Sequence, residues 1–261
     1  MKWNRVTKAE PCGVCNRGDW CTWSDIGRCC MRLESGKPMR NGGWLHPLGS
    51  ATAQRPAREA KPDPILDVVG RMREWRSVRK SNDLAELSAN LGVTVNSLES
   101  LGCVRAPYYK TWAFPMCSGD GHYCGIRLRN LSGEKWAERG SHQGLFMGTI
   151  KPWSTVMITE GPTDAAAAIT LGLEAMGRPS SAGGVDHIKV SLKRIQARRA
   201  VIVADMDDPG LRGAKTLQEH LPIPSAILTV PSKDLRSFVK NGGSRDMLDS
   251  VTSQLIWRQP Q

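Results

Sequence analysis

The sequence predicts an α/β protein: a mostly parallel, Rossmann-like sheet with helices on both faces, preceded by a small mixed α+β subdomain and an N-terminal metal-binding module. Three observations predict it. Beyond Thr155 the apolar runs VMIT, AVIVA and AILTV are separated by helical stretches, as expected for parallel strands buried on both faces. Between Trp112 and Gly148, WAFPM and CGIRLRNL alternate with Gly-containing turns, the pattern of a small antiparallel sheet. Residues 1–50 are rich in Cys, Gly and Trp and too few to be held by an apolar core alone.

The 261 residues leave room for one medium domain and a small module. No apolar run approaches the roughly 20 residues that span a bilayer, which argues against a membrane protein. The first residues, MKWNRVTKAEPCG, lack the apolar stretch of a secretory signal, so a cytoplasmic location and reduced cysteines are expected. Lys and Arg number 36 against 25 Asp and Glu, a net charge of +11. Residues 1–80 carry 16 basic and 8 acidic side chains, residues 81–150 carry 6 and 6, and residues 151–261 carry 14 and 11. The N-terminal third therefore supplies most of a field that attracts a polyanion, with nucleic acid the obvious candidate.

In PCGVCNRGDWCTWSDIGRCCMR, Cys12 and Cys15 have the CxxC spacing that lets two thiolates grip one ion from a tight turn. Cys21 and either Cys29 or Cys30 complete a tetrahedron. Four thiolates suit a closed structural zinc site in a ribbon-like module. A redox CxxC would need a strand-helix context that is missing here. Cys103, Cys117 and Cys124 are too widely spaced for a second site. Trp20, Trp23 and Trp44 are available to stack on unpaired bases or to cover the metal. Ala51–Pro64, with three prolines and no large apolar residue, reads as a linker.

Residues 65–80 place Ile65, Leu66, Val68, Val69, Met72, Trp75 and Val78 on the face of an amphipathic helix with a basic side. DLAELSANLGVTVNSLESLG follows as two short helices around Gly92, with the look of a helix-turn-helix. The domain boundaries expected are a zinc-binding module at 1–50, the linker at 51–64, a helical and small-sheet subdomain at 65–150 and a catalytic domain at 151–261.

Two apolar runs end in acids. VMIT runs into Glu160, followed by Gly161 and a helix starting near Asp164. AVIVA runs into Asp205, followed by Asp207, Asp208 and a helix opening at Gly210. In a parallel sheet the strand carboxyl ends share one edge, where ligands bind, so Glu160 and Asp205 converge. Carboxylates crowded together repel unless a cation neutralises them, and magnesium, held by one or two carboxylates plus phosphates, suits the role. Acids after strands also cap helices, but two such motifs at successive strand ends are more specific than one.

EGPTD at Glu160–Asp164 and DMDDPG at Asp205–Gly210 resemble the two signatures of the Toprim domain, shared by bacterial-type primases, type IA and II topoisomerases and certain nucleases. The order of zinc module, linker, mixed subdomain and Toprim core is similar to that of the primases. The segment FPMCSGDGHYCGIRLRNLSGEKWAERGSHQGLF resembles the region before the primase Toprim core, and the resemblance implies that Arg127, Arg129 and Lys135 contact template or nucleotide. Lys233-Asp234 resembles a third acidic motif, which implies Asp234 as a further metal ligand. Arg236 stands where that motif has its second Asp. CGVCNRGDWC, CCMRLESGKP and NGGWLH resemble zinc modules of primase-like proteins of phages and other mobile elements, which implies Cys12, Cys15, Cys21 and Cys30 as the ligands.

What this resemblance implies is a DNA primase that makes short RNA primers on single-stranded DNA from nucleoside triphosphates. Magnesium or manganese would be held by Asp205 and Asp207, with Glu160 a further ligand or the general base and Asp164 orienting Glu160 or the metal's water. The alternatives are a Toprim nuclease and a non-catalytic single-stranded-DNA-binding replication protein of a mobile element. The phosphate loop G-x-x-x-x-G-K-[ST] is absent, since Ser35-Gly-Lys37 continues into Pro38, so unwinding is expected from a separate replicative helicase.

Overall fold

The computed structural model describes residues 3–39, 43–48, 66–78 and 83–260. The predicted linker at 51–64 and both ends of the helical stretch at 65–80 lie outside them. The chain divides into two compact units, Met1–Pro62 and Asp63–Gln261. Among the described residues no helix is long and apolar enough to cross a membrane.

The first unit is a four-stranded antiparallel sheet of β1 (Asn4–Arg5), β2 (Thr22–Ser24), β3 (Gly27–Cys30) and β4 (Trp44–Pro47), in that order. Its buried apolar cluster is Val6 with Cys12, Cys21 and Cys30, flanked by Val14, Cys15, Trp23 and Met31. A core made largely of thiols cannot hold so small a unit through apolar burial.

The second unit begins with α1 (Val68–Ser77), whose first turn is capped by the Asp67 side chain. Next come α2 (Ala85–Leu91) and α3 (Val95–Ser100), joined at Gly92. Leu87, Leu91 and Leu98 are buried with Trp112 and Phe114, so this pair is a core element. The antiparallel sheet predicted here consists of β5 (Val104–Arg105), β6 (Thr111–Cys117), β7 (Tyr123–Asn130) and β8 (Lys135–Ala137), in sequential order. α1 covers one face, burying Val68, Met72 and Trp75 against Val104, Ala113, Ile126 and Leu128.

The large sheet has the order β13-β12-β10-β11-β9. Its strands are β9 (Phe146–Met147), β10 (Thr155–Glu160), β11 (Ala175–Arg178), β12 (Arg199–Val203) and β13 (Ser225–Leu228). All pairings are parallel except that of edge strand β9 with β11. The connecting helices are α4 (Pro162–Thr170), α5 (Val185–Arg194) and α6 (Asp208–His220), with α7 (Leu235–Lys240) and α8 (Arg245–Thr252) closing the chain.

Alternation along the strands gives the sheet two apolar faces. Met157, Val201, Val203 and Leu228 pack with α4, α7 and α8, while Val156, Ile158, Met176, Ala200 and Ile202 pack with α5 and α6. The run Ala165–Ala168 in α4 is wholly buried, so small side chains let that helix lie close on the sheet. The small sheet reaches the large one through Cys117 and Leu145, which exchange backbone hydrogen bonds of 2.8 and 2.7 Å, and through Phe114 edge-on to Phe146.

Two helices start earlier than expected. α4 begins at Pro162, where proline's missing N–H costs nothing. α6 begins at Asp208, because Asp207 serves as its cap.

Candidate active site and metal centre

In the first unit the Sγ atoms of Cys12, Cys15, Cys21 and Cys30 all lie within 4.8 Å of one another. The 3.6 Å separation of Cys15 and Cys21 is that of two ligands of one ion. The structure thus selects Cys30 over its neighbour Cys29. Backbone N–H groups of Met31, Arg32 and Leu33 point at Cys21 and Cys30, donating at 3.2 to 3.4 Å, and they favour thiolates there. Arg32 Nη1 stands 3.8 Å from Cys21 Sγ and is held by the Asp19 carbonyl. Burial pushes the Cys21 thiol up to about 12, so a bound metal must displace its proton and uptake is pH-dependent. Four clustered sulfurs, all but the half-buried Cys15 buried, and converging amides fit zinc. Trp20 is 81% exposed, whereas Trp23 packs on the cluster under the Arg28 guanidinium.

In the second unit the predicted acids gather at the carboxyl edge of the large sheet. Glu160 ends β10. Gly161, at φ +88°, turns the chain into α4, a backbone region that L side chains rarely adopt. The first turn of α4 then brings Asp164 back to the edge, 6% exposed. Asp205 follows β12. Asp207 caps α6, its Oδ1 accepting from Gly210 N–H at 2.8 Å. Asp234, 8% exposed, caps α7 by accepting from Ser237 N–H at 2.6 Å. The two acid-bearing turns are tied together by Met206 N–H donating to the Lys233 carbonyl at 2.9 Å. Arg236 N–H donates to Asp164 Oδ1 at 2.9 Å, and Arg236 Nη2 lies 3.4 Å from Asp234 Oδ2.

These groups act on one another. Burial, then Asp164, Glu160, Asp234 and Asp207, push Asp205 up to about 7. Burial and then Asp234 raise Asp164 to about 6, against the pull of the Arg236 N–H, the Arg236 guanidinium and Lys135. At Asp234 burial is the largest influence, but the Ser237 hydroxyl and N–H, Arg236 and Lys233 together outweigh it and hold the carboxyl below its usual range.

Of the predicted cations, Arg129 and Lys135 face each other across β7 and β8 and lie within electrostatic range of Asp164. Burial depresses both, and Arg236 adds to the effect at each. Arg127 shares the Arg129 side of β7, is lowered by burial alone, and couples to none of the acids. The Nε atoms of Arg127 and Arg129 are buried without a hydrogen-bond partner among the described residues.

The donor set fits a hard cation. All candidate ligands are carboxylate oxygens, and among the described residues neither Glu160 nor Asp205 receives a side-chain hydrogen bond. Among those residues the cysteine cluster alone brings three or more ligating groups within 4.8 Å. The more widely spaced carboxylates suit magnesium, which takes one or two carboxylates and fills its shell with water and phosphate.

A carboxyl raised in the folded state stabilises it fully below the unfolded value near 4, and that stability is lost as pH rises through the folded value. For Asp164 and Asp205 the loss falls between about pH 4 and 7. Asp234 acts in the opposite sense, its contribution being lost only as pH falls below 4. In magnesium-free, zinc-loaded buffer the melting midpoint should therefore drop from pH 5 to pH 7.5, and magnesium should reduce the drop. Calorimetry at a series of pH values checks both.

The sequence reading missed Arg178, which ends β11 beside Glu160 and is 1% exposed. The available signal was slight, a lone basic residue in AMGR, a strand with no β-branched residue.

No protein-family model matches the chain. Among curated proteins, the Gene 57 protein of Mycobacterium phage D29 is 30% identical over 166 residues, 58% of this chain and 98% of that protein. Among solved structures, the DnaG primase catalytic domain bound to ssDNA superposes with a TM-score of 0.58 at 13% identity, over 72% of this chain and 77% of that one. The primase fragment of the bacteriophage T7 primase-helicase protein gives 0.54 at 16% identity, over 96% of this chain and 100% of that one. With the four-cysteine cluster and the sheet topology described above, these likenesses establish that the chain belongs to the family of the mycobacteriophage D29 Gene 57 protein and has the fold of DnaG-type primases.

Proposed function

We propose that this protein is a DNA primase with a Toprim catalytic core, which makes short RNA primers on single-stranded DNA from nucleoside triphosphates. The observation that carries this reading is the gathering of Glu160, Asp164, Asp205, Asp207 and Asp234 at the carboxyl edge of one sheet, where the other four all act on Asp205, on a primase fold. Glu160, Asp205 and Asp207 would hold magnesium or manganese, with Asp234 as a further ligand. When bound, the ion supplies the positive charge that offsets the phosphates and makes a 3'-hydroxyl the better nucleophile.

The chain's own residues do the rest. Asp164, fixed by the Arg236 N–H, would orient Glu160 or the metal's water. Arg129 and Lys135 offer the triphosphate or template backbone positive charge at the same edge. In the first unit the cysteine cluster would bind zinc, and the exposed Trp20 offers an unpaired template base a stacking face. Duplex unwinding would fall to a separate helicase.

The Arg236–Asp234 ion pair specifically favours a second reading, a single-stranded-DNA-binding replication protein without catalysis, because Arg236 occupies an acidic position of the third motif. One assay separates the readings. Single-stranded DNA, ribonucleotides and magnesium should give new short oligoribonucleotides. Shortened template instead means a nuclease, and retained DNA with neither product means a binding protein.

A further inference from the structure

Arg178 presents a physical problem. Its side chain is 1% exposed, yet Nε and Nη2 have no hydrogen-bond partner among the described residues. Only Nη1 is used, donating to the Ser181 carbonyl at 2.7 Å and the Gly213 carbonyl at 3.1 Å. Gly213 is tightly placed, since a Cβ there would fall 2.1 Å from the Ser181 oxygen, so the two carbonyls form a preset clamp. A guanidinium does not shed its proton, and a buried unpaired charge is strongly destabilising unless an opposite charge compensates it.

The register identifies that charge. Glu160 and Arg178 are directly paired across β10 and β11, so in a parallel sheet their side chains leave the same face. The acids that act on the guanidinium are Glu160 and Asp205, and no ion pair within 4.0 Å binds it to either. It stands across the register from Glu160 and within electrostatic range of Asp205, and no ion pair commits it to either.

We infer that Arg178 is a positioning residue of the carboxylate edge, a resident counter-cation that the Ser181–Gly213 clamp holds beside Glu160 and Asp205, compensating part of their charge in the absence of a divalent ion. This inference rests on the reading that the edge binds such an ion. A fixed cation there also repels an incoming one, so it sets an upper limit on divalent-ion affinity and keeps the occupied site exchangeable.

The test is manganese binding to the full zinc-loaded chain, read by electron paramagnetic resonance of free Mn2+. Arg178→Met should bind Mn2+ at this edge about tenfold or more tightly, the scale of removing one nearby like charge. Its melting midpoint should depend more on Mn2+ than that of the wild type. Arg178→Lys, which keeps the charge, should restore wild-type affinity, as a merely structural role would not require. Where the methionine variant fails to fold, Arg178→Gln keeps an amide donor for the clamp without the charge and should show the same gain. Wild-type or weaker affinity in the neutral variants overturns this inference alone. A wild-type chain that binds no Mn2+ overturns the metal reading and the inference with it.

Discussion

Glu160→Gln is expected to lower primer synthesis by about a hundredfold or more, the contribution of one positioned acid or base, with Asp205→Asn falling at least as far. Both substitutions preserve shape and hydrogen-bonding size while removing a negative charge. The charge matters because burial and then four other carboxylates raise Asp205 to about 7, so its ionised form needs compensating positive charge. Once neutral, it cannot contribute to holding a divalent ion beside a triphosphate. The fold should persist, because each variant leaves the other carboxylate to compensate Arg178. Neither side chain accepts a hydrogen bond among the described residues, and removing one of several crowded like charges relieves repulsion. Asp205→Asn should therefore melt at or above the wild-type temperature at pH 7.5 without magnesium, while single-stranded DNA is retained as before. Primer yield in both variants within a few-fold of wild type would end the catalytic reading.

Cys12→Ser should abolish zinc retention and unfold the first unit. The reason is the composition of its core, where Val6 is joined chiefly by Cys12, Cys21 and Cys30. Metal coordination contributes on the order of 10 kcal/mol to such modules, far beyond what the remaining apolar burial supplies. Cys29→Ala is the informative contrast. Cys29 is buried one residue from a ligand but lies outside the cluster, so this variant should retain one zinc per chain. Metal analysis after gel filtration, with limited proteolysis of residues 1–62, measures both effects. A Cys12→Ser chain that still carries one equivalent of zinc would disprove the four-sulfur site.

Much of this architecture was legible because it is encoded in side-chain pattern. β10, β12 and β13 announce themselves through Val, Ile and Leu runs, and the acids that follow β10 and β12 reveal the shared edge. The CxxC spacing similarly exposes half of the cysteine cluster, although choosing between Cys29 and Cys30 required knowing which way β3 faces. β11 was missed because Ala-Met-Gly-Arg carries no strand signature of its own; it is a strand because it fits between β10 and β9. Arg178 was missed with it. That Asp207 and Asp234, expected at the acidic edge, each also cap a helix was not legible for another reason: a cap depends on where a helix begins, and α6 begins before the Gly210 that the sequence suggested.

The contact between Arg236 and Asp164 is made by a main-chain N–H, which every residue except proline possesses. Any residue but proline at position 236 can thus keep the anchor on Asp164, even one of opposite polarity. Relatives that differ here would keep the same scaffold and vary only the electrostatic tone of the cleft. A proline is the one replacement that should be purged.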